Sequence, residues 1–205
     1  MAEAAPKPTI YEELEAVPRH LVAEIIGGSL VTHPRPAPRH AAASAVLTRK
    51  LVGPFQDDPD GPGGWIFLDE PELHLGDEVV VPDLAGWRRE RLSRPPDAAW
   101  LDITPNWVCE ILSGSTETRD RTVKMRIYAA AGISHLWLVD PRQQLLEAFE
   151  RNGQGLWTVI GAWSSDDEVR AAPFDAIAFS LAGLWPFDPP LGFNEDPQAL
   201  YAGDR

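Results

Sequence analysis

A single carboxylate interrupts the most apolar stretch of this chain. The run from Trp107 to Leu112 reads Trp-Val-Cys-Glu-Ile-Leu, and Glu110 is its only charged residue. Continuous apolar character over this length predicts a strand that is buried on both faces. In such a strand Val108, Glu110 and Leu112 share one face. Because an ionised carboxylate is costly to bury without a cation or hydrogen bonds, the sequence requires a partner for Glu110.

A second acid stands in a comparable place. Asp83 follows the apolar residues 79–81 and Pro82, and a proline removes a ladder donor where a strand ends. An acid just after one buried strand, beside another strand that carries an acid, can hold Mg²⁺, which proteins bind through one or two carboxylates together with waters. Such a metal lowers the pKa of a bound water and polarises a phosphodiester. Lys124, one of only three lysines, would complete the set by orienting that water or by offsetting phosphate charge.

The order of predicted elements indicates an α/β protein with a central mixed sheet flanked by helices. Gly27-Gly28 between two apolar runs predicts a hairpin over residues 21–33. An Ala-rich stretch predicts a helix over 39–53, and the strongest helix is predicted over 117–131, where Gly132 stops it. Further strands are predicted at residues 65–68, 72–75, 79–81, 84–87, 135–139, 145–149 and 156–160, a short helix at 11–17, and a loop or short helix at 88–104.

Three parts of the chain are expected to differ in order. We expect residues 1–9 to form a flexible lead-in, residues 10–185 to form one domain, and residues 186–205 to form a Pro-rich acidic tail.

Composition limits the partners and the compartment. The net charge of −13 over 205 residues would repel nucleic acid, although residues 83–126 carry eight basic against seven acidic side chains. The eight tryptophans fit core packing, and without a basic stripe between them they do not indicate a base-stacking platform. The single cysteine, Cys109, excludes a disulfide within the chain, and no apolar run approaches the roughly 18 residues that span a bilayer. With no secretory signal visible, we expect a cytoplasmic protein.

The motifs occur in an order that resembles a known family. They are Pro82-Asp83, Glu110-Ile111-Leu112-Ser113-Gly114-Ser115-Thr116, Arg119-Asp120, Lys124, residues 128–133 and residues 137–141, together with residues 23–30 and Pro38-Arg39-His40. Over roughly residues 10–185 the chain resembles the Uma-type putative restriction endonucleases, which belong to the PD-(D/E)XK nuclease superfamily. The resemblance implies a restriction-endonuclease-like core and a Mg²⁺-dependent site, also open to Mn²⁺, that hydrolyses phosphodiester bonds of nucleic acid, with DNA the expected substrate. It also leads us to expect a homodimer.

The resemblance assigns roles to four residues. It implies that Asp83 and Glu110 are metal ligands, that Glu24 is a supporting acid and that Lys124 is the catalytic lysine. In the superfamily pattern the lysine lies two residues after the acid, a position that Leu112 occupies here. The resemblance therefore moves the lysine to the following helix, which requires that helix to pack back over the strand.

Ordinary structural roles would also account for these residues. Lys124 lies four residues after Asp120, the spacing of a surface ion pair on one helix. Asp83 could cap a turn, and Glu110 could pair with a buried arginine. Glu24 could contact an arginine beside the hairpin, and His40 could be a helix cap or a surface residue.

Two functions of other classes stay open at this stage. One is a nuclease-fold protein that binds or assembles without turnover, which the net charge favours. The other is a phosphodiesterase for a small nucleotide, whose binding would need less basic surface. Uptake of a divalent metal would separate the first of these from an active nuclease.

Overall fold

Two β-sheets form the framework of the protein, and helices cover them. The computed structural model describes residues 8–94 and 96–187. The predicted lead-in and tail lie outside the described residues except for residues 8–9 and 186–187, so the domain boundaries stay predictions.

The helices and strands predicted from the sequence are present in the predicted order, and three two-residue strands that were not predicted join them, at Trp100–Leu101, Glu168–Val169 and Phe179–Ser180. The helices are α1 (Ile10–Glu15), α2 (Pro38–Val52), α3 (Glu117–Arg119) and α4 (Met125–Ala130). Two π-helical turns accompany them, Gly53–Asp57 after α2 and Asp120–Lys124 between α3 and α4. The strands are β1 (Leu21–Ile26), β2 (Ser29–Pro34), β3 (Trp65–Asp69), β4 (Glu72–Leu75), β5 (Glu78–Val80), β6 (Leu84–Arg88), β7 (Trp100–Leu101), β8 (Trp107–Ile111), β9 (His135–Asp140), β10 (Leu145–Arg151), β11 (Trp157–Ser164), β12 (Glu168–Val169) and β13 (Phe179–Ser180).

The five-stranded sheet has the order β2-β1-β5-β4-β7. Its β1–β2 hairpin confirms the sequence prediction, and Gly27 and Gly28 form the turn with φ angles of 58° and 73°. Such positive φ angles at both central residues are those of a tight hairpin turn, which glycine adopts without steric cost.

The six-stranded sheet has the order β11-β10-β9-β8-β6-β3 and is mixed, because β8 and β9 pair in parallel while the other pairs are antiparallel. This confirms the predicted fold class. In β8, Cys109 packs into one core together with Leu47 of α2, whereas Val108 packs into a second core together with Tyr128 of α4 and Val80 of β5. The predicted alternation of β8 is therefore observed. Glu110, on the same side as Val108, is directed between the two sheets.

The helix after β8 differs from its prediction. A single helix was expected over 117–131, but the π-helical turn Asp120–Lys124 separates α3 from α4. The helical stretch still ends before Gly132, whose φ angle is 82°. Side-chain patterns follow the average helical period and cannot reveal one wider turn, a feature that is frequent at functional sites.

The segment 88–104, expected to be a loop or a short helix, contributes the end of β6 and the two-residue strand β7, which pairs in parallel with β4. A strand of two residues is too short to show a period in the sequence. Across the described ranges, no helix has the length and apolar character needed to cross a membrane.

Candidate active site

A cavity of about 140 Å³ opens beside the gap between the two sheets. The four candidate site residues predicted from the sequence all line it, and five further titratable residues join them. The nine are Glu24, His33, Arg35, His40, Glu70, Asp83, Glu110, Asp120 and Lys124.

Lys124 lies at the centre of this group, with only 2% of its surface exposed. Its Nζ atom is 2.8 Å from Oε1 of Glu110 and 3.0 Å from Oε1 of Glu24, and it donates to the carbonyl oxygen of Val81 at 3.1 Å. Burial lowers the pKa of this ammonium, but the surrounding negative charges, with Glu110 the largest among them, together outweigh burial and raise the pKa. The surface pair with Asp120 that the spacing also allowed is therefore not the main contact of Lys124.

The three contacts of Lys124 connect the two sheets. Glu24 lies on β1 and Val81 directly follows β5, both in the five-stranded sheet, whereas Glu110 lies on β8 in the six-stranded sheet. The π-helical turn carries Lys124 at its end and Asp120 at its start, and both are buried in the cavity wall. The helix thus packs back over β8, as the displaced lysine requires.

Glu110 is held by two donors at one oxygen. Its Oε1 atom accepts hydrogen bonds from Lys124 Nζ and from the hydroxyl of Tyr128, a fully buried residue of α4. Within the described ranges, the Oε2 atom has no hydrogen-bond partner. Burial raises the pKa of the Glu110 carboxyl well above its usual range, because Lys124 offsets only part of the cost and Asp120 and Asp83 repel the charge.

Sequence reasoning gave Tyr128 no role of its own. Its position four residues after Lys124 was the available signal, since residues at this spacing lie on the same side of a helix.

Glu24 is the strongest acid of the group. Its Oε1 atom accepts from the Val81 N–H at 2.9 Å as well as from Lys124, and His33 Nε2 lies 3.7 Å from its Oε2 atom. Burial would raise the pKa of this carboxyl, but the charge of Lys124 and these hydrogen bonds lower it to about 2. Glu24 is therefore an ionised, fully partnered acid, and its partners are a lysine and a histidine rather than an arginine.

Asp83 occupies the more open end of the cavity. Its Oδ2 atom accepts from the Ile111 N–H at 2.6 Å, and its Oδ1 atom lies 2.9 Å from Nε2 of His40. Burial lowers the pKa of His40, but the hydrogen bond and the charge of Asp83 outweigh burial and raise it. The backbone bond to Ile111 fixes Asp83 beside the strand residue that follows Glu110.

His40 was expected to be a helix cap or a surface residue, and this expectation was wrong. It is 9% exposed and begins the buried stripe of α2 that continues with Ala43, Leu47 and Leu51. That spacing of three and four residues is visible in the sequence and was the signal that could have identified it.

Asp120 is a further acid of the site, although the sequence assigned it no role beyond the Arg119-Asp120 motif and a surface pair with Lys124. It is 4% exposed, and burial raises the pKa of its carboxyl while the charge of Lys124 opposes the increase. The charges of Asp83 and Glu24 also raise it. The carboxylates of Glu24, Glu110 and Asp120 thus all act on the charge of Lys124.

The donor set fits a hard divalent cation held by few protein ligands. Within the described part of the chain, no three His, Cys, Asp or Glu side chains are grouped so as to hold a metal ion. Mg²⁺ requires only one or two carboxylates because waters complete its coordination. Among the residues that the structure describes, none donates a hydrogen bond to Oε2 of Glu110, and the oxygens of Asp83 keep lone pairs beyond the single donor that each accepts. A cation between these two acids would also offset the excess negative charge.

Comparisons with known proteins identify the family and the fold. Residues 10–182 match the model of the Uma2 family, described as "Putative restriction endonuclease". The fold is similar to the crystal structure of a putative nuclease belonging to DUF820 from Anabaena variabilis ATCC 29413, with a TM-score of 0.70 and 22% sequence identity. That similarity covers 88% of this chain and 98% of the other, and at this identity it concerns the fold alone. A search of curated proteins gave no match.

Proposed function

The chain belongs to the Uma2 family of putative restriction endonucleases, and we propose that it is a metal-dependent nuclease that hydrolyses phosphodiester bonds of nucleic acid, with DNA as the substrate. One observation carries the proposal: Asp83, Glu110 and Lys124, from three separate elements, line one cavity in which Lys124 contacts Glu110. The cytoplasmic location and the homodimer stay predictions.

Asp83 and Glu110 are the residues that would hold Mg²⁺ or Mn²⁺ in this proposal. The metal, when bound, would polarise the phosphodiester and lower the pKa of a water. Tyr128 and Lys124 both bond Oε1 of Glu110, which leaves Oε2 as the ligand oxygen. The Ile111 N–H and His40 orient Asp83 by contacting one of its oxygens each, Oδ2 and Oδ1.

Lys124 acts as the counter-charge of the site. Its ammonium has three protons, and three protein oxygens already accept them, from Glu24, Glu110 and Val81. A phosphate oxygen or a water can therefore be bound by Lys124 only if one of these acceptors is released. Glu24, with its low pKa, keeps the lysine charged for that exchange.

Cleavage assays with a paired substitution test the proposal. Supercoiled DNA and single-stranded oligonucleotides would be incubated with Mg²⁺, with Mn²⁺ and with EDTA. We expect metal-dependent cleavage that falls about 100-fold or more in Asp83→Asn, since losing a metal ligand costs at least as much as losing its outer support. Asp77→Asn, the same change at an exposed aspartate, should leave the rate unchanged.

Cleavage that survives EDTA, or that is equal in Asp83→Asn and Asp77→Asn, contradicts the proposal. Calorimetric titration with Mn²⁺ distinguishes an active nuclease from a nuclease-fold protein that does not cleave. If no metal binds at millimolar concentration and nothing is cleaved, the chain is a nuclease-fold binding protein without turnover.

A further inference from the structure

Three rings from distant parts of the chain form an aromatic column at the surface. The column consists of Tyr11 on α1, His74 on β4 and Trp100 on β7. The His74 ring lies 4.3 Å from the Trp100 ring at an interplanar angle of 17°, and 6.0 Å from the Tyr11 ring at 25°. Both end residues are open to solvent, with 42% of Tyr11 and 39% of Trp100 exposed.

This exposure distinguishes Trp100 from most tryptophans of the chain. Four others are at most 1% exposed and pack in the cores, namely Trp65, Trp87, Trp107 and Trp137. The sequence gave no reason to separate Trp100 from them, because its partners in the column are 26 and 89 positions away. The pairing of β7 with β4 brings Trp100 beside His74, and α1 places Tyr11 on the other side of the His74 ring.

The column lines a groove that continues from the candidate active site. The groove has a volume of about 740 Å³, and Val22, Arg35, Glu70 and Val81 line both it and the smaller cavity. Arg35 therefore lies at the junction, with 53% of its side chain exposed and its Nη1 atom 2.5 Å from Oε2 of Glu70. A strand of nucleic acid that reaches the cavity along this groove must pass the column.

The charge of the groove decides which form of nucleic acid it suits. Its lining carries four acids, Glu15, Asp69, Glu70 and Glu72, against two arginines, Arg19 and Arg35. An acidic lining repels a duplex, which presents two phosphate backbones and keeps its bases stacked on one another. Stacking of a base on an aromatic ring does not depend on a favourable charge, and it contributes about 1–3 kcal/mol per base.

We propose that the aromatic column binds an unpaired base, so that the substrate of this chain is single-stranded or locally unpaired nucleic acid. The base stacks on the exposed ring of Trp100 and extends the column. The proposal rests on the proposed function for the chemical class of the substrate, and it supplies the affinity that an acidic chain does not obtain from phosphate contacts.

Binding measured without metal tests this proposal apart from catalysis. Fluorescein-labelled single strands of about 12 nucleotides, as DNA and as RNA, and a DNA hairpin duplex of equal length would be titrated with the full chain in EDTA. The change in anisotropy gives the dissociation constant. We expect the single strands to bind at least 10-fold more tightly than the duplex, and the two single-strand arms to identify which sugar is preferred.

Three variants measure the contribution of the Trp100 ring to binding. Trp100→Ala should weaken single-strand binding about 10-fold or more, the loss expected for one stacked base. Trp100→Phe keeps an aromatic face and should retain most of the affinity, which also guards against a misfolded alanine variant. Phe187→Ala removes an exposed aromatic ring outside the groove lining and should have no effect.

Equal affinity of the original chain and Trp100→Ala for single strands overturns the proposal, as does duplex binding as tight as single-strand binding, or no single-strand binding at all. If the rings only protect the edge of β4, Trp100→Ala lowers the melting temperature without changing affinity. Failure of the nuclease proposal gives a different result: single strands bind through Trp100, but no metal supports cleavage.

Discussion

The two ends of the candidate site hold their acids by different means. At one end Glu110 and Lys124 are almost dry, with 4% and 3% of their side chains exposed. At the other end Asp83 and His40 are more open, with 17% and 11% exposed. Glu110 depends on one buried ammonium and one hydroxyl, whereas Asp83 is bonded to a backbone N–H as well as to a side chain.

At the Glu110 end the contacts mainly compensate a buried charge, whereas at the Asp83 end they mainly orient a carboxylate. A buried carboxylate that loses its cation is left uncompensated, which is among the costlier changes in a protein. A partly exposed carboxylate that loses a neutral or charged donor can be solvated instead. The Glu110 end should therefore control the stability of the site, and the Asp83 end should control its geometry.

The largest expected effect comes from Lys124→Met. This change leaves Glu24 and Glu110 buried without their shared cation, and we expect the free energy of unfolding near pH 7 to fall by about 3–5 kcal/mol. Urea denaturation measures this loss. Lys50→Met, the same change at a lysine of α2, should cost less than about 0.5 kcal/mol.

The same variant should also strengthen part of the pH dependence. The pKa of Glu110 is already above its unfolded value, and without the charge of Lys124 it rises further, so protonation stabilises the folded state more strongly. This stabilisation is present below pH 4.5 and is lost as the pH rises through the folded pKa. Lys124→Met should therefore become more stable as the pH falls from 7 towards 5. A loss smaller than about 1 kcal/mol with no such gain would contradict the central role of Lys124.

Glu24→Gln should change how the free energy of unfolding depends on pH. The pKa of Glu24 falls from 4.5 to about 2 on folding, so the ionised form stabilises the folded state above pH 4.5, and this contribution is lost as the pH falls from 4.5 towards 2. The shift corresponds to about 3 kcal/mol. Unfolding free energies measured between pH 6 and pH 2 should fall more steeply in the original chain than in Glu24→Gln.

Glu15→Gln, a change at an exposed glutamate, supplies the control for Glu24. It should follow the pH profile of the original chain. Parallel profiles for Glu24→Gln and the original chain would mean that Glu24 is not the strong acid of the site.

The smallest effect is expected at the Asp83 end. His40→Leu removes the donor to Asp83 Oδ1 but leaves the Ile111 N–H bond in place, so we expect a loss of about 1–2 kcal/mol in urea denaturation. His40→Gln retains a donor and should cost less. A loss for His40→Leu as large as that for Lys124→Met would remove the distinction between the two ends.

The sequence predicted the elements that a local pattern determines. The hairpin at Gly27-Gly28, the alternation of β8 and the need of Glu110 for a partner all follow from the spacing of apolar residues and glycines. The family motifs additionally selected Asp83, Glu110 and Lys124, which the structure brings to one cavity.

The rest of the site depends on contacts between distant positions. His40 and Asp83 are 43 residues apart. The spacing of apolar residues can show that His40 lies on a buried helix face, but it cannot predict which acid that face contacts. The spacing of Asp120 and Lys124 is the same whether the pair is exposed or buried, so the sequence could not separate the two cases. The π-helical turn that buries both has no side-chain signature.

The ammonium shared by β1 and β8 has a consequence for how the molecule opens. A sheet that is tied to its neighbour only by apolar packing can detach in a local fluctuation and expose its amides to solvent exchange. Lys124 donates to both sheets at once, so separating them breaks buried ion pairs on each side. The slowest-exchanging amides of both sheets should then exchange through a single opening event, because the contacts at the centre of the site hold the two sheets together.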